Sequence, residues 1–162
     1  MRLRVVRALL GRWHSYLALP RQTPASWHQD RLKEELRELR EARTLAEAIS
    51  EASDVVFTIS RAEHEGFGND SISTSNFLGR LPTFWAAAVI LYMLYKFTMR
   101  WSFYRVTAYA CGLRGEQLDA VRDVINPAKL DKMDNVARRH GLEPSKFRRV
   151  GAVVRRVWPL LP

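Results

Sequence analysis

The most apolar stretch of the chain, LPTFWAAAVILYMLYKFTMRW, runs from Leu81 to Trp101. Fifteen residues without formal charge separate Arg80 from Lys96, and between Leu81 and Met99 the one charge is Lys96. A membrane-spanning helix takes about twenty apolar residues. Lys96 stands near the end of the run, where a long side chain reaches headgroups. Aromatic residues continue beyond it, as in an interfacial belt. The pattern therefore predicts a hydrophobic helix over 81–113, with a span at about 81–99. Trp85, Lys96, Arg100, Trp101 and Tyr104 are the candidate membrane-interface residues. A helix buried in a soluble bundle is the competing expectation.

The other segments follow helical spacing. Residues 1–22 form a basic amphipathic segment: on a helical projection Leu3, Val5, Val6, Leu9, Leu10, Trp13, Tyr16 and Leu17 share one arc. Arg4, Arg7 and Arg12 fall on the other. An arginine-rich, acid-free helix of this kind fits a mitochondrial targeting sequence, or a helix lying on a membrane or on the protein's own core. Residues 23–65 predict one long charged amphipathic helix, or a pair with a break near Thr44, with Thr23 as cap and Pro24 in first position. Opposite charges pair along it one turn apart, as in Arg31 with Glu35 and Arg37 with Glu41. Residues 66–80 are rich in Gly, Ser, Thr and Asn and predict a polar linker. That linker holds an N-glycosylation acceptor triplet, Asn69-Asp70-Ser71. Residues 114–162 predict a basic module of three helices: the first stops at Asn126-Pro127, Asn126 caps the second, and Gly141 separates the second from the third. The fold class expected is all-α: a long amphipathic helix, one hydrophobic transmembrane helix and a C-terminal basic helical module.

Charge sharpens this division. The formal net charge of +9 is spread unevenly. Residues 1–29 hold five arginines and no acid, residues 30–80 are net acidic, and residues 96–162 hold fourteen basic against six acidic side chains. A basic C-terminal part implies an anionic partner. VARRHGLEPSKFRRV has the outline of a helix-turn-helix, with Lys146, Arg148 and Arg149 facing outward. Those three, with Arg155 and Arg156, are the candidate contacts to an anionic surface, lipid phosphate before nucleic acid.

Candidate chemistry adds little. The single cysteine, Cys111, excludes an internal disulfide framework and reads as a packed thiol. His14, His28, His64 and His140 are dispersed, without the spacing of zinc ligands. Glu63-His64-Glu65 reads as a solvated group at a helix end. No phosphate-binding glycine loop occurs. No catalytic, cofactor-binding or metal-binding residue is assigned from the sequence.

The blocks TPASWHQDRLKEEL, SDVVFTISRA and INPAKLDKMDNVARRHGLEPSKFRRVGAVVRRVWPLLP resemble a family of small, uncharacterised fungal proteins with one hydrophobic segment, some of them accompanying biosynthetic gene clusters. The resemblance covers the chain from about Pro24 onward. It implies a fungal source and an accessory role in a metabolic pathway, and no activity or site. The expected function is a non-enzymatic, single-pass membrane protein that meets lipids and a protein partner through its amphipathic helices. Nucleic-acid binding through the C-terminal module is the alternative. Mitochondrial or endoplasmic reticulum membrane is the expected location.

Overall fold

A computed structural model of the chain describes residues 3–68 and 73–157. Every regular element among them is helical, which bears out the all-α class. The helices are α1 (Leu3–Leu17), α2 (Ala25–Glu41), α3 (Leu45–His64), α4 (Thr74–Gly79), α5 (Thr83–Cys111), α6 (Gly115–Asp119), α7 (Leu130–Arg139) and α8 (Pro144–Val157). They fall into two compact units, residues 1–94 and 95–162. The acceptor triplet at Asn69 lies outside the described residues.

In the first unit α3 is the central element. Val55, Val56, Phe57 and Ile59 are buried, and so are its hydroxyl residues Ser53, Thr58 and Ser60. A helix apolar on most sides must be surrounded, and α1, α2 and α4 all pack on α3. Its serines are tolerated there because their hydroxyls return to carbonyls three residues back, Ser53 to Ser50 at 2.6 Å and Ser60 to Phe57 at 3.1 Å.

Of the two forms expected for residues 23–65, the structure takes the pair. Thr44 breaks the helix with a capping box: its Oγ1 accepts from the Glu47 N–H at 3.2 Å, and the Glu47 carboxylate accepts from the Thr44 N–H at 3.1 Å. Bonds from the Arg43 and Thr44 N–H groups hold the Glu47 carboxyl below its usual range. The connection is so short that α2 and α3 run antiparallel. Thr23 does not cap α2; Pro24 stands at the cap position and Ala25 opens the helix.

The far end of this hairpin is closed by polar contacts on Glu65. Its Oε1 pairs with Arg61 at 2.7 Å, and its Oε2 accepts from the Gln22 N–H and meets His28 Nε2, each at 3.0 Å. Burial opposes ionisation of Glu65, but these partners hold its carboxyl below the ordinary range. α1 docks through Val6, Leu10 and Leu17, all buried, and through His14, whose Nε2 lies 2.8 Å from Ser60 Oγ.

The expected linker over 66–80 is only partly one. Ser73 caps α4 by accepting from the Asn76 N–H at 3.1 Å, and Thr74 donates to Glu63 through both N–H and hydroxyl. Leu78 is 2% exposed, so residues 73–80 are anchored rather than free.

The second unit packs around the later part of α5. Phe103, Tyr104 and Ala108 meet Val121, Met133, Val136, Ala137 and Phe147 in one core. α7 and α8 form a helical hairpin whose turn uses Gly141 at φ +67°, the left-handed conformation that glycine adopts without penalty. Three helices, α6, α7 and α8, follow α5 among the described residues, with bounds that differ from those expected. α6 stops at Asp119, residues 121–129 are not helical, and Asn126 forms a local turn with Ala128 instead of capping α7. Lys129 stands at the start of α7.

The membrane span also needs correction. No helix among the described residues is long and apolar enough to cross a membrane. α5 is long, but Lys96, Arg100 and Arg105 interrupt it. Its apolar residues Ala86, Val89, Ile90 and Met93 are buried in the chain itself. Lys96, Arg100 and Tyr104 are buried too, at 3%, 8% and 0% exposure. Lys96 and Arg100 both approach the Phe97 ring, and the Arg105 guanidinium lies 4.8 Å from the Trp101 ring centroid. The aromatic residues serve as platforms for cations. Trp85 and Trp101 are half-buried.

Candidate metal centre

On α2, Glu35 and Glu38 are three residues apart, and on α3 so are Glu51 and Asp54. Residues at that spacing share a helix face. Antiparallel packing of the two helices turns these faces toward each other. Glu35, Glu38 and Glu51 each offer an oxygen, and the three atoms lie within 4.8 Å of one another. Asp54 is close enough to raise the Glu35 carboxyl electrostatically. Glu51 Oε2 and Asp54 Oδ1 are buried atoms.

Glu35 is the least ordinary of them. It is 1% exposed, and no hydrogen bond reaches its Oε2. Arg31 pairs with its Oε1 and also donates to Glu34 at 2.6 Å. Burial pushes the Glu35 carboxyl up to about 7; Arg31 opposes this, while Asp54, Glu38 and Glu51 add to it. Buried carboxylates are normally paired or bound to a metal. Arg31 is shared between Glu34 and Glu35, and four carboxylates gather on the facing sides of α2 and α3.

The donor set has chemical consequences. It holds carboxylate oxygen only, without the His or Cys that zinc favours. Hard oxygen sets suit Mg²⁺ and Mn²⁺. Carboxylates at i, i+3 from facing helices are also how helical bundles hold di-metal centres, although those add histidine.

The sequence-predicted residues lie elsewhere. Lys146 Nζ donates to the Cys111 carbonyl at 3.1 Å, and Arg148 pairs with Asp134 at 3.1 Å, so both serve the second unit internally. Arg149, Arg155 and Arg156 are exposed on α8. The thiol of Cys111 is buried, and that burial raises it. The histidines are less dispersed than the sequence implies: the rings of His14 and His64 stack at 5.4 Å. Burial, then the nearby His64 and Arg61, press the His14 imidazole down to about 3, so it is held neutral. Glu63, His64 and Glu65 are not simply solvated, since Glu63 binds Thr74 and Glu65 binds Arg61.

Sequence reasoning missed this acidic cluster, although its signal was present. EELRE (34–38) and EASD (51–54) repeat an acidic residue at i, i+3, and the break at Thr44 between them makes the two helices neighbours. No family model, curated protein or solved structure matches the chain.

Proposed function

We propose that the chain is a metal-dependent hydrolase whose α2–α3 hairpin holds a hard divalent cation, Mg²⁺ or Mn²⁺, against a substrate phosphoanhydride. The observation that carries this reading is Glu35, a nearly fully buried carboxylate without a hydrogen bond to its Oε2, set among Glu38, Glu51 and Asp54. Mg²⁺ keeps several waters and is usually completed by substrate phosphates rather than caged by protein. Carboxylates from two helices suit such an open site. The cation would neutralise charge on the phosphoryl oxygens while water adds to phosphorus and the anhydride P–O bond breaks. Glu38 and Glu51, half-buried at the rim, would hold it, and Glu35 would anchor it from below. This reading departs from the non-enzymatic accessory role expected from the sequence, and activity decides between them.

The test uses the full chain, stripped of metal and supplied with Mg²⁺, Mn²⁺ or Ca²⁺. Nucleoside triphosphates are offered as a panel, and release of phosphate and pyrophosphate is measured. Turnover should need Mg²⁺ or Mn²⁺ and fall by at least roughly 100-fold in Glu38→Gln and Glu51→Gln, as expected when a cation's carboxylate ligands are removed. Turnover that survives either substitution, or that needs no divalent ion, defeats the proposal.

A further inference from the structure

The amphipathic helix α1 meets the protein with only part of its apolar surface. Val6, Leu10, His14 and Leu17 face inward and are 4%, 2%, 3% and 0% exposed. Val5, Leu9 and Tyr16 lie outside this arc at 61%, 49% and 65% exposure. At about 100° per residue they form one stripe, within roughly 40° of each other and about a quarter to a third of a turn from the docked face. Beside the stripe, Arg4, Ala8 and Arg12 follow one another at i, i+4, i+8, and all are exposed. The outward side of α1 therefore pairs an apolar ridge with a basic ridge. No acidic residue occurs among residues 1–29.

A surface this hydrophobic and this basic is complementary to a plane that offers hydrocarbon below and negative charge above. Tyr16 suits the boundary, because its ring is apolar and its hydroxyl polar. Arg4 and Arg12 have stems long enough to lie over the acyl boundary while their guanidinium groups bind lipid phosphate. We infer that α1 docks the protein on an anionic lipid surface through Val5, Leu9 and Tyr16 with Arg4 and Arg12, while its inner face stays packed on α3. Membrane contact then needs no spanning helix. It is peripheral, reversible and weakened by salt, because the charge contribution is screened. The inference is independent of the metal centre, and vesicle binding is read without any activity.

The experiment is co-sedimentation of the full chain with vesicles of phosphatidylcholine, with and without phosphatidylglycerol. Binding is expected only with the anionic lipid. The double variant Val5→Glu/Leu9→Glu should lose roughly tenfold or more of it, since both side chains would leave the apolar layer. Arg4→Gln/Arg12→Gln should weaken it and flatten its salt dependence. Leu130→Glu, at a 54% exposed position in the second unit, should leave it unchanged. All of these positions are exposed, and circular dichroism with a urea midpoint checks that each variant folds as the wild type does. Absence of binding to anionic vesicles overturns the inference. So does binding that the α1 variants do not alter, or an oligomer that Val5→Glu/Leu9→Glu dissociates while vesicle binding persists, since the stripe would then be covered by a second copy.

Discussion

Replacing Glu35 with glutamine removes one negative charge from the most buried point of the acidic cluster and nearly preserves the side-chain shape. The Glu35 carboxyl titrates at about 7 in the folded chain, against an ordinary 4.5. Because the folded value is the higher, its contribution to stability is fully present below about pH 4.5 and is lost as pH rises through 7. Each pK unit is worth about 1.4 kcal/mol, so at pH 8 the metal-free chain carries a strain of up to about 3 kcal/mol from ionised Glu35. Glutamine escapes this, but gives up attraction to Arg31 and buries an amide that must find partners, at about 1–2 kcal/mol. Metal-free Glu35→Gln should therefore be about 1–2 kcal/mol more stable than wild type at pH 8, with little or no advantage at pH 5. Urea unfolding with a chelator at the two pH values measures the difference. A gap between the proteins that is the same at both pH values refutes the reasoning, whatever its sign. Adding Mn²⁺ should then reverse the order. A ligand at 100 times its dissociation constant stabilises by about 2.7 kcal/mol, and that gain should belong to wild type alone. A variant that gains as much from Mn²⁺ shows that Glu35 holds no ion.

Two further predictions concern the packing that supports the site and the second unit. His14 is held neutral at about 3 in the folded chain and near 6.5 when unfolded, so its stabilisation is present above pH 6.5 and is lost as pH falls; by linkage this amounts to about 2 kcal/mol by pH 5, and His14→Gln should flatten the acid limb of a urea-midpoint profile by that much, whereas an unchanged limb would show that another group titrates there. A Cβ built on Gly151 would meet Met133 Cε at 2.7 Å and Phe103 Cζ at 3.2 Å, so Gly151→Leu should cost about 1–3 kcal/mol through overpacking, read by thermal unfolding, and a neutral result would show that α8 shifts freely on Met133.

Much of the fold was legible where local chemistry speaks plainly. Thr44 marks the break between α2 and α3, Gly141 the turn before α8, and Pro144 the first position of α8. The failures arose where tertiary contacts decide. Lys96 and Arg100 looked like snorkelling cations at the end of a span, but both are buried in the protein, an outcome set by neighbours distant in sequence. The sequence pattern carries the first C-terminal helix as far as Asn126, yet Val121 and Asp123 are used differently: Val121 fills the core and Asp123 accepts from Arg139 at 3.0 Å. The candidate metal centre was the costliest omission. Glu35 with Arg31 reads as an exposed i, i+4 ion pair in one dimension. The facing α3 brings Glu51 and Asp54 alongside it, and Glu35 ends 1% exposed.

The capping box at Thr44 also bears on how the chain reaches its folded state. Every carboxylate of the cluster comes from one continuous stretch between Glu35 and Asp54, closed by the shortest of connections. Contacts so local cost little loop entropy and form early in folding. Their obstacle is mutual repulsion, since the same turn that brings the helices together also crowds like charges. On the proposed reading of the cluster, the rate at which α2 docks on α3 would then depend on the divalent ion in solution.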